Sequence, residues 1–207
     1  MPNWCMNSVT IRHDDPAMID RAFQALTRSE FLNEFIPVPQ ALLDTEAGSV
    51  STDQEAAHQA QEAANLAEHG SANWYDWCTR HWGTKWDVGD ADSTEKLDAN
   101  TIEASFDSAW APPCAAYERL CGLGFEIQAY YNEPGMAFCG KWTGSGDHFD
   151  DNYCEYSDED AESVRSVIGD ELDDFWCISE NMAHDQSDLD WDDDELLDTD
   201  DDSDRDS

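Results

Sequence analysis

Apolar and polar positions alternate along this chain with a period that changes several times, and each change marks an element. Asn3 to Arg12 has period two. Cys5, Asn7, Val9 and Ile11 fall on one side and Trp4, Met6, Ser8 and Thr10 on the other, which predicts a strand. Asp15-Pro16 supplies a cap and a first-turn proline for a helix with Met18, Ile19, Ala22, Phe23 and Leu26 as its buried stripe. Phe31 to Leu43 carries Pro37 and Pro39 and predicts an extended, packed-down connection. Thr52 and Glu55 have capping-box spacing for an alanine-rich helix that ends near Gly70. Its narrow apolar stripe predicts an insertion lying on the main body.

Trp74, Trp77, Cys78, His81 and Trp82 stand at i, i+3, i+4, i+7 and i+8, one stripe of a helix. Asn73 is its cap, Gly83 suits the left-handed residue at its end, and Thr84 to Val88 predicts a short strand. Gly89 to Asn100 reads as a polar loop, Thr101 to Trp110 as a strand, and Pro112-Pro113 as the start of a helix with Cys114, Tyr117, Leu120 and Cys121 inward. Phe125 to Asn132 alternates again, Asn132 to Gly135 turns, and Met136 to Thr143 and His148 to Tyr156 complete a meander. Ser157 caps a final helix with Val164, Val167, Ile168, Leu172, Phe175 and Trp176 as its stripe. The order predicts an α+β fold with a β-α-β-β-α-β core, a ferredoxin-like antiparallel sheet backed by helices. The expected organisation is a domain over 1–156 with a helical insertion at about 44–83. An acidic amphipathic helix over 157–180 packs on it, and 181–207 forms a disordered acidic tail.

Charge changes the picture. The formal net charge is −38, and residues 150–207 hold 25 of the 48 acids against Arg165 and Arg205 alone. Such a chain does not bind nucleic acid through counterion release, and an anionic membrane surface repels it. Its expected partner is a basic protein surface. No run of eighteen apolar residues predicts a membrane span, and the first residues show no basic-then-apolar leader. Seven scattered cysteines suit reduced thiols, so the expected location is a host cytoplasm. Three uses of the charge compete: a solvated tail, imitation of nucleic acid by carboxylates, and adaptation to salt, for which 31 Asp against 17 Glu and three lysines speak.

Several motifs stand in order: Pro2-Asn3-Trp4-Cys5-x-Asn7, Phe35-Ile36-Pro37-Val38-Pro39, Asn73-Trp74-Tyr75-Asp76-Trp77-Cys78, Trp82-Gly83-Thr84-Lys85-Trp86-Asp87, and Phe106-Asp107-Ser108-Ala109-Trp110-Ala111-Pro112-Pro113. Over residues 2–156 they resemble the YubB-type ferredoxin-like domain, a family that includes Api-like proteins of bacteriophages and plasmid-borne proteins. The resemblance implies a ferredoxin-like fold and a mobile-element origin. It implies no catalytic residues, and the acidic region after residue 157 lies outside it.

Candidate chemistry is sparse. Cys78 and His81 are one helical turn apart, but no second Cys/His pair has finger spacing, so no metal is expected. Asp188-x-Asp190-x-Asp192 starts like a calcium loop, yet Asp193 replaces the glycine and Thr199 stands where the bidentate glutamate belongs. Gly140-x-x-x-Gly144-x-Gly146 lacks the lysine and helix of a phosphate loop. No cofactor and no catalytic residue is expected. The final helix carries nine acids in 23 residues, one per about 4 Å of rise. The phosphates of a duplex come one per about 1.7 Å. Asp158, Glu159, Asp160, Glu162, Asp170, Glu171, Asp173 and Asp174 are therefore the candidate partner-binding residues. The aromatic cluster (Trp74, Trp77, His81, Trp82, Trp86 and Trp110) is core or groove, and the pattern leaves both open. The expectation is a non-enzymatic mobile-element protein that binds a basic partner, in the manner of a DNA mimic. The alternatives are a salt-adapted accessory protein and an enzyme using a tryptophan-lined groove.

Overall fold

The computed structural model describes residues 2–157 and 161–184. The chain divides into two compact units, Met1–Tyr153 and Cys154–Ser207. In the first, β1 (Trp4–Arg12) is followed by α1 (Pro16–Thr27), α2 (Phe31–Phe35), α3 (Gln40–Leu43), α4 (Glu55–His69) and α5 (Trp74–His81). Then come β2 (Thr94–Lys96), β3 (Thr101–Ala109), α6 (Cys114–Gly122), β4 (Glu126–Glu133), β5 (Phe138–Ser145) and β6 (His148–Glu155). The six strands form one sheet in the order β2-β3-β1-β4-β5-β6. β1 runs antiparallel between β3 and β4, with Asn7 opposite both Phe106 and Tyr131. The first four strands with α1 and α6 make the ferredoxin-like core, and β5 and β6 extend it.

Alternation on β1 decides which face is covered. Cys5, Val9 and Ile11 are buried with Ile102, Ala104 and Phe106 of β3 and Ile127, Ala129 and Tyr131 of β4. Ile19, Ala22, Leu26, Tyr117 and Leu120 bring the helices into the same cluster. Asp15 caps α1, its Oδ1 accepting from Ala17 N at 2.9 Å. Asn7 is the polar member of the buried face. Its NH2 group donates to Cys5 O and Ser108 Oγ, both at 2.8 Å, while its buried Oδ1 is left without a hydrogen-bond partner among the described residues.

Four sequence expectations for the first unit are corrected. Thr84 to Val88 is not a strand. The Thr84 hydroxyl bonds both Ala109 O and Ala109 N at 3.0 Å, so a side chain takes the place of a backbone ladder at the end of β3. The second core strand is β2, inside the expected polar loop, where Thr94, Glu95 and Lys96 face Ala104, Glu103 and Ile102. Phe31 to Leu43 is helical in two short pieces, broken at Pro37-Val38-Pro39. The first piece is capped from far away, because Asp87 Oδ1 accepts from Leu32 N at 2.6 Å and Oδ2 from Asn33 N at 2.9 Å. The expected Thr52 capping box is absent: Gln54 precedes α4 with no side-chain cap, although the helix does end at a left-handed Gly70. α4 is anchored by one buried residue, Asn65, whose amide donates to Thr45 Oγ1 at 2.8 Å and Ala72 O at 2.9 Å.

Gly89 fixes the loop that follows the tryptophan segment. Its φ is +137°, and a Cβ there would lie 2.2 Å from Leu26 O, so the two backbones touch only because the side chain is missing.

The second unit holds α7 (Ala161–Ile168) and α8 (Asp170–Trp176), with further helical turns over residues 178–184. The single final helix expected over 157–180 is therefore corrected. Gly169 at φ 84° leaves the helical region and divides it. Val164, Ile168, Leu172 and Ile178 are buried. Asp158, Glu159, Asp160, the 185–207 tail and its spaced aspartates lie outside the described residues.

Candidate functional site

Asn73 starts α5, its Oδ1 accepting from Asp76 N at 3.1 Å. The apolar stripe then divides. Trp77, Cys78 and Trp82 enter the core, and the buried indole of Trp82 donates to Ile36 O at 3.0 Å. The chain reverses at Gly83 (φ 86°), and the Thr84 bonds to Ala109 hold the following residues beside the end of β3. Lys85 and Trp86 are thereby carried back past Trp74 and Tyr75. Trp110 closes the group from the other side. Its φ is +67°, a left-handed conformation rare for a bulky residue, and its N–H donates to Asn3 O at 2.9 Å.

These residues build an exposed aromatic face. Trp4, Trp86 and Trp110 are 46, 39 and 42 % exposed. Trp4 lies 5.8 Å from Trp86, and Tyr75 meets Trp110 edge to face at 6.2 Å. Lys85 Nζ sits among four rings, 4.5 Å from the centroid of Trp86, 5.3 Å from Trp110, 5.5 Å from Tyr75 and 5.9 Å from Trp74. All four distances are within cation–π range, and each such contact is worth about 0.5–1 kcal/mol at an exposed site. A cavity of about 320 Å³ adjoins, with Trp4, Trp86, Asp87, Asp90 and Asp107 in its walls. Asp87 is already bound to the α2 backbone. The Asp107 carboxylate is exposed and makes no hydrogen bond or ion pair among the described residues.

The structure thus sorts the aromatic cluster. Trp77 and Trp82 are core, Trp86 and Trp110 are exposed, and Trp74 is half-buried and packs against the core cluster. His81 belongs to neither group. Its ring packs on Trp77 at 4.4 Å and its Nδ1 bonds the Arg119 guanidinium. Burial, with Arg119 and Arg80 beside it, holds His81 below the usual histidine range. Cys78, its supposed partner, is buried, and desolvation helped by Asp87 pushes its thiol up to about 12. Burial likewise raises Cys5 to about 12 and Cys121 to about 11. Among the described residues no three His, Cys, Asp or Glu side chains group as metal ligands. The sequence reading missed Lys85, Tyr75 and Trp4. The available signal was a lysine directly before Trp86 in a chain with only three lysines.

The acidic candidates are placed differently from expectation. Arg165 bonds Asp170 at 2.8 Å, Asp173 at 3.0 Å and Asp174 at 2.6 Å. The Asp173 side chain is 2 % exposed and also accepts from Ser179 N and Oγ, so it is a structural residue and not part of a docking face. Burial alone would raise its carboxyl, but the Ser179 and Arg165 bonds outweigh that and hold it below the ordinary range. Glu162 and Glu171 lie on α7 and α8.

A second cavity, about 480 Å³, lies along β4–β6, with Arg12, Glu126, His148 and Asp150 among its lining residues. Among the described residues no helix is long and apolar enough to cross a membrane.

No protein-family model matches the sequence, and no curated protein does. Among solved structures the chain is similar to the crystal structure of a protein api92 from Yersinia pseudotuberculosis, of the family model DUF1281. The two are 12 % identical, the match covers 76 % of this chain and 99 % of that one, and the TM-score is 0.44.

Proposed function

We propose that this chain is a non-catalytic binding protein whose exposed aromatic face receives a basic segment of a partner protein. The observation that carries the reading is the Lys85 ammonium held by four aromatic rings at the surface. Tryptophan and tyrosine dominate binding hot spots, and an exposed apolar patch rimmed by polar groups marks an interaction site. The net charge of −38 attracts a basic partner and accelerates encounter at low salt. Imitation of nucleic acid by the C-terminal acids draws less support. The rod of charge is divided at Gly169, and Arg165 already engages three of its carboxylates. Thiol catalysis draws less still, since burial keeps Cys5, Cys78 and Cys121 protonated. The YubB-type assignment, with its phage or plasmid origin and a cytoplasmic site of action, is part of the same proposal and rests on the sequence motifs. Salt adaptation is the second reading, favoured by 31 aspartates against three lysines.

The test is affinity capture with the full chain at low and high salt, repeated with a Trp86→Ala/Trp110→Ala variant. The proposal expects a basic protein that is retained at low salt, released at high salt and missing from the variant. A partner held equally by the variant, or one that is acidic, contradicts it. Equally acidic, lysine-poor neighbours from the same genome, with no salt-sensitive partner, would favour the second reading.

A further inference from the structure

We infer that Trp74, Tyr75, Trp86 and Trp110 form a site for an alkylammonium group, that Lys85 occupies it in the free protein, and that a partner's cationic side chain displaces Lys85 on binding. The argument starts from where a lysine ought to be. The chain has 48 acids against 10 lysines and arginines, so carboxylates surround almost any ammonium. Lys96 forms an ion pair with Asp20, and Lys141 lies over one ring, that of Tyr130, at 5.1 Å. Lys85 has no such pair among the described residues, and its charge instead lies 4.5–5.9 Å from four ring centroids. The negative faces of the rings are what attract it, and indole is the strongest of the side-chain rings in this role.

The cage also holds a strain that the core does not use. Trp110 keeps φ at +67° although its ring is 42 % exposed and takes no part in the buried cluster. What that conformation achieves is the position of the ring, edge to face with Tyr75 and beside Lys85. Backbone strain that serves an exposed ring is typical of binding sites. Exchange is open sterically, since Lys85 is only half-buried and Trp86 also walls the neighbouring cavity of about 320 Å³. In that cavity Asp107 offers an incoming cation the counter-charge that Lys85 lacks. A methylated ammonium suits the cage better than a primary one, because it is less strongly hydrated and sheds its water more easily on entering.

The identity of the displacing group rests on the binding reading above, but the site can be tested without any partner. Lys85→Ala empties the cage. Choline should then quench the tryptophan fluorescence saturably, binding about ten-fold more tightly than its uncharged isostere 3,3-dimethylbutan-1-ol. Adding Trp86→Ala should remove the response. Equal affinity for the two compounds, or no saturable response in a Lys85→Ala protein with native near-ultraviolet circular dichroism, overturns the inference. The unaltered chain gives a second readout. The Lys85 ε-methylene protons should be shifted upfield by the rings and should move back as choline is added. Resonances that are unshifted, or that choline never moves, also overturn it. Failure of both readouts with salt-sensitive capture intact would remove the cage and leave the proposed partner binding standing.

Discussion

Trp82 and Trp86 are four residues apart and have opposite fates. Trp82 is 4 % exposed, with its N–H bonded to Ile36 O; Trp86 is 39 % exposed, tilted against Trp4 and facing the Lys85 ammonium. The aspartates nearby divide in the same way. The Asp87 carboxylate holds the start of α2, whereas the Asp107 carboxylate makes no hydrogen bond or ion pair among the described residues. The difference teaches that one dense aromatic segment can serve stability at one end and recognition at the other. The change comes after Gly83, where the chain leaves the helix: Thr84 and Val88 still turn inward, while Trp86 between them is left exposed.

Substitution should separate the two ends. Trp82→Ala leaves a large cavity and an unpaired Ile36 carbonyl, and should lower unfolding free energy by about 3–5 kcal/mol in a denaturant titration. A loss as small as that of an exposed residue would break the comparison. Asp87→Ala removes the remote cap from Leu32 and Asn33 and should lower stability by about 1–2 kcal/mol in the same titration.

Among the acids of the second unit, Asp173 sharpens the contrast between structural and working carboxylates. Its folded pKa lies below its ordinary value, so its stabilisation is present above about pH 4 and is lost as pH falls through the folded pKa. Far-ultraviolet circular dichroism should show helical signal lost on acidification, and Asp173→Asn should remove that part of the pH dependence. At the small end, Trp86→Ala removes one exposed cation–π contact and one ring pair and should lower stability by about 1 kcal/mol, well short of the Trp82→Ala loss in the same titration.

How much of this was legible in the sequence depended on whether the determinant was local. β1 and α1 were readable because period, proline and cap lie within a few residues of one another. The α5 stripe and Gly83 were readable for the same reason. β2 was not, since Thr94-Glu95-Lys96 has no apolar alternation and is recruited by its neighbour β3. The α2 cap was not, since its carboxylate is more than fifty residues away in sequence. The helix break at Gly169 was masked by apolar residues that continue the stripe on both sides of it. For the site, composition located the tryptophans but not their division, because spacing on a helix says nothing about residues after the helix ends. Lys85 became visible only when Trp74, Tyr75 and Trp110 were brought around it.

The central claim is that the exposed indoles receive positive charge from a partner protein. The most direct measurement is calorimetric titration of the full chain with a lysine-rich peptide and with the same peptide acetylated on its lysines, for the parent and for Trp86→Ala/Trp110→Ala. The account predicts salt-sensitive binding of the charged peptide to the parent, at least about ten-fold weaker binding to the variant, and none of the acetylated peptide. Equal binding by parent and variant would show that diffuse acidity alone attracts the peptide and would contradict the account.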